Sequence, residues 1–355
     1  MPETLSVLIV DDSAYMRVIL KDMISSEPDL LVVGTAKNGI EAMKFVEELD
    51  PDVVLMDIEM PRQDGIVTLQ QIMKDHPTRV VMISAMDKSD QHLPLRALSL
   101  GAVDFISKPG GPISIDIFKF RKRILATIRN AAEAKMEALQ HARWELPKTV
   151  LTVREDVRTS RTVKAIVIGS STGGPRTLEH IFSRLPRDIP AMIFIVQHLP
   201  AEFSDSFSKR LDSTGGPMTL LANDGGVAEC GKAYVAPGGF HLTMTECGGA
   251  HATMHLDTSE KVQYVRPSAD VLFESASKCF GGNLMAIVLT GMGADGTRGA
   301  KAVRMAGGRV VAQDEGSSVI FGMPRSVIAA GAADSVLSLE QIPEEIISFL
   351  QEGPP

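Results

Sequence analysis

A serine lies between two glycines in the stretch VKAIVIGSSTGGP, which covers residues 163 to 175. The apolar and β-branched run before it predicts a buried strand, and the small residues that follow predict a tight turn into a helix. Gly169, Ser171 and Gly173 form the pattern Gly-x-Ser-x-Gly, in which such a turn holds the hydroxyl out into a cleft. Ser171 is therefore a candidate nucleophile. A glycine loop that caps a helix or cradles a phosphate explains this stretch equally well.

A serine nucleophile needs a base, because its hydroxyl is barely ionised at neutral pH. His198 follows the apolar run AMIFIVQ, and Asp295 follows NLMAIVLTGMGA. A histidine can take the serine proton, and a carboxylate fixes the imidazole tautomer and stabilises its charged form. If the three strands are neighbours, the three side chains converge on one cleft. No histidine follows His255, so the acid comes last in the chain, unlike the order in α/β-hydrolases.

The glycine-rich stretch LTGMGADGTRG predicts a second tight loop, whose backbone N–H groups could face an oxyanion. We consider Met292 a candidate donor, with another N–H from the turn around Ser171 and Thr172. A plain helix-entry turn is the alternative for this loop.

Four other histidines compete with His198 for the role of base. His241, in VAPGGFHL, could line a cleft and is the strongest rival. His180 lies within a helical pattern, which suits a structural residue. His251 and His255 could bind a metal as an i, i+4 pair on a helix, but the alternating HATMHL predicts a strand and argues against a metal site.

The elements that position these residues follow from hydrophobic periodicity. Residues 5–125 alternate five short apolar runs with helical patterns, which predicts a parallel sheet covered on both faces. Residues 126–162 predict a helical extension and a linker, with Trp144 partly buried. Residues 163–350 repeat the α/β pattern and add a hairpin near Gly248. We expect an α/β protein of two doubly wound domains, the second a mainly parallel sheet with an antiparallel hairpin.

The first domain carries polar residues where its predicted strands end, the edge at which open parallel sheets bind ligands. Three carboxylates, Asp11, Asp12 and Asp57, would repel one another there unless a cation neutralised them, and an all-oxygen set suits Mg²⁺. Lys108 is a natural partner for a phosphoryl group. Any one of these residues alone would be explained as a solvated loop charge. Four positions in order at the ends of predicted strands favour a site, and they are the Asp11–Asp12 pair, Asp57, Ser84 and Lys108.

Four segments of residues 5–125, DD, MDIEMPRQDG, VMISA and DFISKP, resemble the response-regulator receiver domain. The resemblance implies a flavodoxin-like fold in which Asp57 accepts a phosphoryl group from a histidine kinase. It also implies that Asp11, Asp12 and Asp57 hold Mg²⁺, with the backbone carbonyl of Glu59 completing the metal shell.

The same resemblance implies a switch in the receiver. Lys108 would contact the phosphoryl oxygens, Ser84 would move to bond one of them, and Phe105 would change rotamer in response. Ser84 stands where threonine is commoner, which predicts a slightly looser coupling.

Five segments between Lys164 and Leu350, GSSTGG, IVQHLP, VAPGGFH, VRPSADVLF and LTGMGADG, resemble the chemotaxis protein-glutamate methylesterases, the CheB family. The resemblance implies Ser171 as nucleophile, His198 as general base, Asp295 as orienting acid and Met292 as a backbone oxyanion donor.

Three further residues, Thr172, Gln197 and His241, lie in matching segments, with less definite roles in the oxyanion or substrate region. Ser170 departs from the alanine that is common beside the nucleophile.

The implied function is that of a phosphorylation-activated serine esterase, which removes methyl groups from glutamate esters on the cytoplasmic helices of chemoreceptors and deamidates selected glutamines. Mg²⁺ is the implied cofactor of the receiver, and no cofactor is expected in the catalytic domain. Two other classes stay open: a nucleotide-binding enzyme that uses GSSTGG as a phosphate loop, and a phosphoswitch binding module without turnover.

Composition excludes several classes of protein. The net charge of −8 argues against nucleic-acid binding, and no apolar stretch is long enough for membrane insertion, so we expect a cytoplasmic protein. The three cysteines, Cys230, Cys247 and Cys279, are widely spaced and odd in number, which predicts reduced thiols.

Overall fold

The structure is a computed structural model, which describes residues 4–84, 92–108, 116–140, 150–153, 163–248 and 251–352. The chain divides into two compact units, residues 1–143 and 144–355. Trp144 and residues 154–162 of the expected linker lie outside the described residues.

The first unit contains a five-stranded sheet in the order β2-β1-β3-β4-β5, in which every pair of neighbours is parallel. Its elements are β1 (Leu5–Val10), α1 (Ala14–Ser25), β2 (Leu30–Ala36), α2 (Gly39–Leu49), β3 (Val53–Asp57), α3 (Gly65–Asp75), β4 (Arg79–Ser84), α4 (Leu93–Ser99), β5 (Asp104–Ser107), α5 (Asp116–Ala132) and α6 (Met136–Gln140).

Local sequence explains how this unit exposes its strand ends. The first three helices each begin after a residue whose side chain accepts an N–H from the first turn, and these residues are Ser13, Asn38 and Asp64. Strand β3 is buried along its whole length and ends at Asp57. A Cβ atom on Gly65 would lie 2.2 Å from the carbonyl oxygen of Asp57. Only glycine therefore lets α3 begin so close to the end of β3.

The second unit contains a seven-stranded parallel sheet in the order β15-β14-β13-β6-β7-β10-β8 and an antiparallel sheet in the order β11-β12-β9. Its elements are β6 (Lys164–Ser170), α7 (Gly174–Arg184), β7 (Ala191–Gln197), α8 (Ala201–Asp212), β8 (Met218–Leu221), β9 (Val227–Glu229), β10 (Lys232–Val235), β11 (His241–Gly248), β12 (His251–Asp257), α9 (Ala269–Phe280), a 3₁₀ turn (Gly281–Asn283), β13 (Leu284–Val288), α10 (Thr297–Met305), β14 (Arg309–Gln313), α11 (Met323–Ala329), β15 (Ser335–Leu337) and α12 (Ile342–Gln351).

The middle of the large sheet is formed by β13, β6 and β7, whose residues are all buried. Such continuous apolar runs are typical of strands covered on both faces. Because the three strands are parallel neighbours, their carboxyl ends lie side by side at one edge. The predicted fold class is confirmed, including the antiparallel hairpin formed by β11 and β12.

Four short elements of the second unit were not predicted: β9, β15, α11 and the 3₁₀ turn, none of them longer than seven residues. The helical extension expected from residue 126 onward is formed by the end of α5, which stops at Ala132, and by a separate short helix, α6. Among the described helices, none is both long and apolar enough to cross a bilayer.

The expectation of three reduced thiols was wrong for two of the cysteines. Cys247 and Cys279 form a disulfide with their Cα atoms 5.3 Å apart, within the usual range, whereas Cys230 is free. The two cysteines are 32 residues apart in sequence and meet because α9 packs against β11. Spacing in the sequence does not reveal such a tertiary contact.

We predict that reducing this disulfide lowers the melting temperature. A cross-link over this separation restricts the unfolded chain and stabilises a fold by about 3–4 kcal/mol, which is on the order of 10 °C for a unit of this size. Thermal unfolding with and without a phosphine reductant measures the effect.

The matched control is the Cys247→Ser/Cys279→Ser double variant, which should melt at the temperature of reduced wild type whether or not reductant is present. Thiol titration of unreduced, denatured wild type should find Cys230 alone. A wild-type melting temperature that ignores the reductant contradicts the prediction.

Candidate functional site

Ser171 lies in the turn between β6 and α7, at the carboxyl edge of the large sheet. Its N–H donates to the carbonyl of Thr290 (3.0 Å), and its own carbonyl accepts from the N–H of Gly174 (2.8 Å). Gly173 has φ of 80°, a left-handed conformation that favours glycine. The chain therefore turns sharply after Ser171, and α7 starts three residues later with its positive end toward the serine.

The loop that follows β13 passes directly against this turn. A Cβ atom on Gly291 would lie 2.7 Å from Cβ of Ser171 and 2.5 Å from Sδ of Met323. Met292, the predicted oxyanion donor, is the next residue and is exposed. Glycine at 291 thus brings the backbone of this loop beside the candidate nucleophile.

His198 and Asp295 form a hydrogen-bonded pair at the same edge. Nε2 of His198 lies 2.8 Å from Oδ2 of Asp295, and the N–H of His198 donates to the carbonyl of Ser170 (3.1 Å). With Nε2 donating to the carboxylate, Nδ1 is the ring nitrogen that remains to accept a proton. The structure thus brings together the ends of the strands that carry the three predicted catalytic residues.

The carboxylate of Asp295 is buried but well supplied with donors. It accepts from the hydroxyl of Ser268 (2.6 Å) and from the backbone N–H groups of Ala269 (2.7 Å), Asp270 (3.1 Å) and Gly296 (3.0 Å). Burial by itself raises the pKa of Asp295, but the hydrogen bonds and the opposite charge of His198 outweigh it and hold this pKa below its ordinary value. Asp295 is thus a fixed negative charge beside the histidine.

Gln197 connects the backbone at the nucleophile with that at the base. Its Oε1 accepts from the hydroxyl of Ser170 (2.7 Å), which leaves Nε2 to donate to the carbonyl of Ser171 (2.9 Å). Ser170 and Gln197 are both buried. The serine that departs from the common alanine therefore orients the amide of Gln197.

Thr172 lies beside the candidate nucleophile, where its carbonyl accepts from the hydroxyl of Thr290 (3.0 Å). His241 has no exposed surface, and its Nε2 lies 3.1 Å from the carbonyl of Glu260, so it holds a loop instead of lining an open cleft. His180 is buried in α7 and lies 3.2 Å from Glu340. His251 and His255 lie on strand β12, as their alternation predicted.

Four residues that support the site escaped the sequence analysis: Ser268, Asp270, Thr290 and Gln313. The first two contact Asp295, as described above. Oε1 of Gln313 accepts the N–H of Thr290 (2.8 Å), whose carbonyl in turn holds Ser171. Ser-x-Asp before an apolar helical run is a signal for a helix start and could have drawn attention to Ser268 and Asp270. Nothing local marks Gln313.

In the first unit the predicted acidic cluster is present. Carboxylate oxygens of Asp11, Asp12 and Asp57 lie within 4.8 Å of one another. Nζ of Lys108 lies 2.6 Å from Asp57 and 3.0 Å from Asp11. Oδ2 of Asp11 is buried, and Nζ of Lys108 is the cation beside it. Three clustered carboxylates that share one lysine among the described residues fit a hard divalent cation such as Mg²⁺.

Burial raises the pKa of Asp57 to about 6, against the opposing effect of Lys108, and the backbone N–H of Glu59 donates to the same carboxylate. Burial lowers the pKa of Lys108, but its ion pairs with Asp57 and Asp11 outweigh this and raise it. A cavity of about 730 Å³ opens beside Asp12 and Glu59.

The two predicted switch residues lie on the neighbouring strands. Ser84 ends β4, where its carbonyl accepts from the N–H of Lys108 (2.7 Å), and Phe105 lies on β5 with its ring buried.

Comparison with known proteins identifies the family of each unit. Residues 166–346 match the family model of the CheB methylesterase, and residues 7–116 match that of the response regulator receiver domain. The chain belongs to the CheB methylesterase family.

Two curated relatives are similar over nearly their full length. A protein-glutamate methylesterase/protein-glutamine glutaminase of Thermotoga maritima is 44% identical over 97% of this chain and 98% of the relative. One of Pyrococcus horikoshii is 42% identical over 99% of this chain and 95% of the relative. The crystal structure of the Thermotoga maritima CheB methylesterase catalytic domain is 45% identical, with a TM-score of 0.51, and covers 53% of this chain and 98% of that domain.

The close approach at Gly291 leads to a prediction. In Gly291→Ala the new methyl group must push the loop away from Ser171, which moves the backbone of Met292. Displacements of about 1 Å at such positions reduce catalysis by roughly 100-fold, so we expect kcat/KM for ester hydrolysis to fall by about 10- to 100-fold. Steady-state kinetics and a thermal melt measure the two effects separately.

Gly316→Ala is the matched control, because a Cβ atom there would meet only a carboxylate oxygen of Asp314 at 3.8 Å. It should leave both activity and melting temperature unchanged. Wild-type kinetics in a folded Gly291→Ala variant would show that this contact does not position the loop.

Proposed function

We propose that this protein is a phosphorylation-activated protein-glutamate methylesterase, which hydrolyses γ-methyl esters of glutamate on the cytoplasmic helices of chemoreceptors in chemotactic adaptation and deamidates selected glutamines. In this proposal the receiver spans residues 5–125, a helical extension and linker span 126–162, and the esterase spans 163–350. The curated names of the two relatives support both activities.

One observation carries the catalytic proposal. The hydrogen-bonded pair of His198 and Asp295 follows strands that flank β6 on either side, and β6 delivers Ser171 between them. In the proposed reaction, Oγ of Ser171 attacks the ester carbonyl while Nδ1 of His198 takes its proton, and the negative charge of Asp295 stabilises the imidazolium.

The tetrahedral intermediate then collapses, its bond to the methoxy oxygen breaks, and His198 returns the proton so that methanol leaves. Water next attacks the acyl-enzyme with His198 again as base, which releases Ser171 and a glutamate carboxylate. With glutamine the same steps release ammonia.

The developing oxyanion needs hydrogen-bond donors. The N–H of Ser171 already donates to Thr290. We assign the oxyanion to the backbone N–H of Met292, with a second N–H from the turn that contains Thr172. One such donor typically contributes about 3 kcal/mol to the transition state.

The phosphate-loop alternative is disfavoured by the same geometry. Such a loop turns its backbone N–H groups toward the anion, yet those of Ser171 and Gly174 donate to carbonyls of the protein itself. A binding module without turnover stays testable: it would be favoured if a serine-directed phosphonate failed to label Ser171 in protein lacking residues 1–150.

We predict that Ser171→Ala lowers methanol release from methylated receptors by about 10⁴-fold or more, since the nucleophile is lost. Asp295→Asn should lower kcat by about 10³–10⁴-fold, because an amide leaves the imidazole in the wrong tautomer. Methanol release from receptor-containing membranes is the assay.

His198→Ala and His251→Ala form a matched pair, since His251 is an exposed histidine of the hairpin. Only His198→Ala should lose activity. Methanol release by the Ser171→Ala protein at the wild-type rate would falsify the catalytic assignment.

For the receiver, we propose that Asp57 accepts a phosphoryl group from a histidine kinase. Asp11, Asp12 and Asp57, with the carbonyl of Glu59, would hold Mg²⁺, which neutralises charge on the phosphoryl oxygens. Lys108 would move from its direct contact with Asp57 to the new phosphoryl group. Ser84 would then bond a phosphoryl oxygen, and Phe105 would change rotamer.

The proposed mode of control is that the unphosphorylated receiver covers the Ser171 cleft and that phosphorylation shifts the population toward the open state. A small-molecule phosphodonor should therefore raise methanol release by wild type in the presence of Mg²⁺. Neither Asp57→Ala nor wild type with EDTA should respond, whereas Asp75→Ala, an exposed aspartate of α3, should respond normally.

Deleting residues 1–150 should raise basal activity and abolish the response to the phosphodonor. Unchanged or lower activity after this deletion would count against inhibition by the receiver while leaving the catalytic proposal intact.

A further inference from the structure

Tyr264 lies at the tip of a tight turn and is 94% exposed. Val262 and Val265 exchange both backbone hydrogen bonds across the turn, at 3.2 and 3.0 Å. The two residues between them, Gln263 and Tyr264, have φ of 48° and 68°. Turns with two left-handed residues favour asparagine and glycine. Tyr264 is unfavourable for stability in two ways: its backbone is left-handed, and its apolar ring is exposed to water. A side chain with so little buried surface adds almost no packing to the fold.

This turn is anchored to the catalytic acid. Nε2 of Gln263 donates to Oδ2 of Asp270 (3.0 Å), and the backbone N–H of Asp270 donates to Asp295 (3.1 Å). Asp295 in turn accepts from His198. Three successive hydrogen bonds therefore connect the residue beside Tyr264 with the base.

Two more exposed apolar side chains lie on loops that contact the site. Phe240 is 38% exposed and Met292 is 46% exposed. Phe240 follows a loop in which a Cβ atom on Gly238 would lie 2.5 Å from the carbonyl oxygen of Leu199, the residue after His198.

The same loop is tied to the segment that carries Tyr264, because the N–H of Gly239 donates to the carbonyl of Arg266 (3.0 Å). Met292 follows Gly291, which lies against Ser171. We call Phe240, Tyr264 and Met292 the apolar rim. The contacts given above connect their loops to the backbone after His198, to Asp295 through Asp270, and to Ser171, respectively.

We propose that the apolar rim is the docking surface for the protein substrate, an amphipathic helix laid across these loops so that one of its side-chain esters reaches Ser171. The proposal rests on the function proposed above and deepens it. A glutamate methyl ester is only a few atoms long, so the helix that carries it must lie against whatever surrounds the cleft.

Exposed aromatic and methionine side chains are what helix-binding surfaces use, and tyrosine is frequent among the residues that dominate binding energy. Continuity with the catalytic loops is what favours a protein helix as the occupant over a small molecule. In this proposal a small ester needs only the catalytic residues and makes no use of Tyr264.

The test is Tyr264→Asn in the full-length chain with phosphodonor present, assayed on two substrates: membranes with methylated receptor, and p-nitrophenyl acetate. Asparagine suits the left-handed conformation, so the melting temperature should not fall. We expect kcat/KM for the receptor to fall about tenfold or more, mainly through KM, and kcat/KM for p-nitrophenyl acetate to stay within about twofold. Met305→Gln removes a comparably exposed residue (89%) at the end of α10 and should change neither.

Equal losses on both substrates would show that Tyr264 only supports the site, and no loss on either would show that nothing docks on it; both overturn the proposal. Higher activity of Tyr264→Asn on both substrates without phosphodonor would show that the apolar rim binds the receiver and not the substrate, which would also overturn the proposal. In all three cases the proposed function still stands. If wild type hydrolysed neither ester, the proposed function would fall, and this inference with it.

Discussion

The buried carboxylate of Asp295 accepts hydrogen bonds from five donors, and the geometry of the catalytic edge depends on this arrangement. Two of the donors are the first N–H groups of α9, so Asp295, which is distant in sequence, caps this helix. Ser268 precedes the helix but does not cap it, because its hydroxyl donates to Asp295 instead. A charge in a buried position is tolerated only when hydrogen bonds replace its hydration. The same bonds that keep Asp295 ionised also fix its position beside His198.

The cap is reciprocal. Asp270 in the first turn of α9 accepts the N–H of Gly299 in α10 (2.8 Å), while Asp295, just before α10, caps α9. The two helices approach so closely that a Cβ atom on Gly299 would lie 2.5 Å from Cβ of Phe273. Burial raises the pKa of Asp270, and the nearby charge of Asp295 adds to this. Asp295, the proposed catalytic acid, is therefore held between two helix starts, which explains how a residue on a glycine-rich loop can have a fixed position.

Much of this arrangement could be predicted from the sequence, because it follows from periodicity along the chain. Buried apolar runs marked β6, β7 and β13, and polar residues at their ends marked Ser171, His198 and Asp295. The sequence does not give the order of strands in the sheet, and therefore it left open whether these ends meet.

The sequence analysis also missed contacts between residues that only the packing of the folded chain brings together. The Cys247–Cys279 disulfide, the loop contact of His241 and the support from Gln313 join residues that are far apart in sequence, and none has a local signature. The family resemblance supplied roles for the reactive residues but not for the residues that hold them.

Asp57 and Asp295 show how neighbouring donors decide what a buried carboxylate does. Asp57 is the last residue of a buried parallel strand and Asp295 lies in the loop after another, and burial is the largest effect on the pKa of each. For Asp57, one lysine and one backbone N–H do not offset burial, so its pKa rises to about 6 and its negative charge stays under-compensated. For Asp295, hydrogen bonds and a histidine more than offset burial, and its pKa falls. In the proposed function Asp57 gains a cation and a phosphoryl group, and its carboxylate still lacks partners, whereas Asp295 only orients a histidine and has its partners in place.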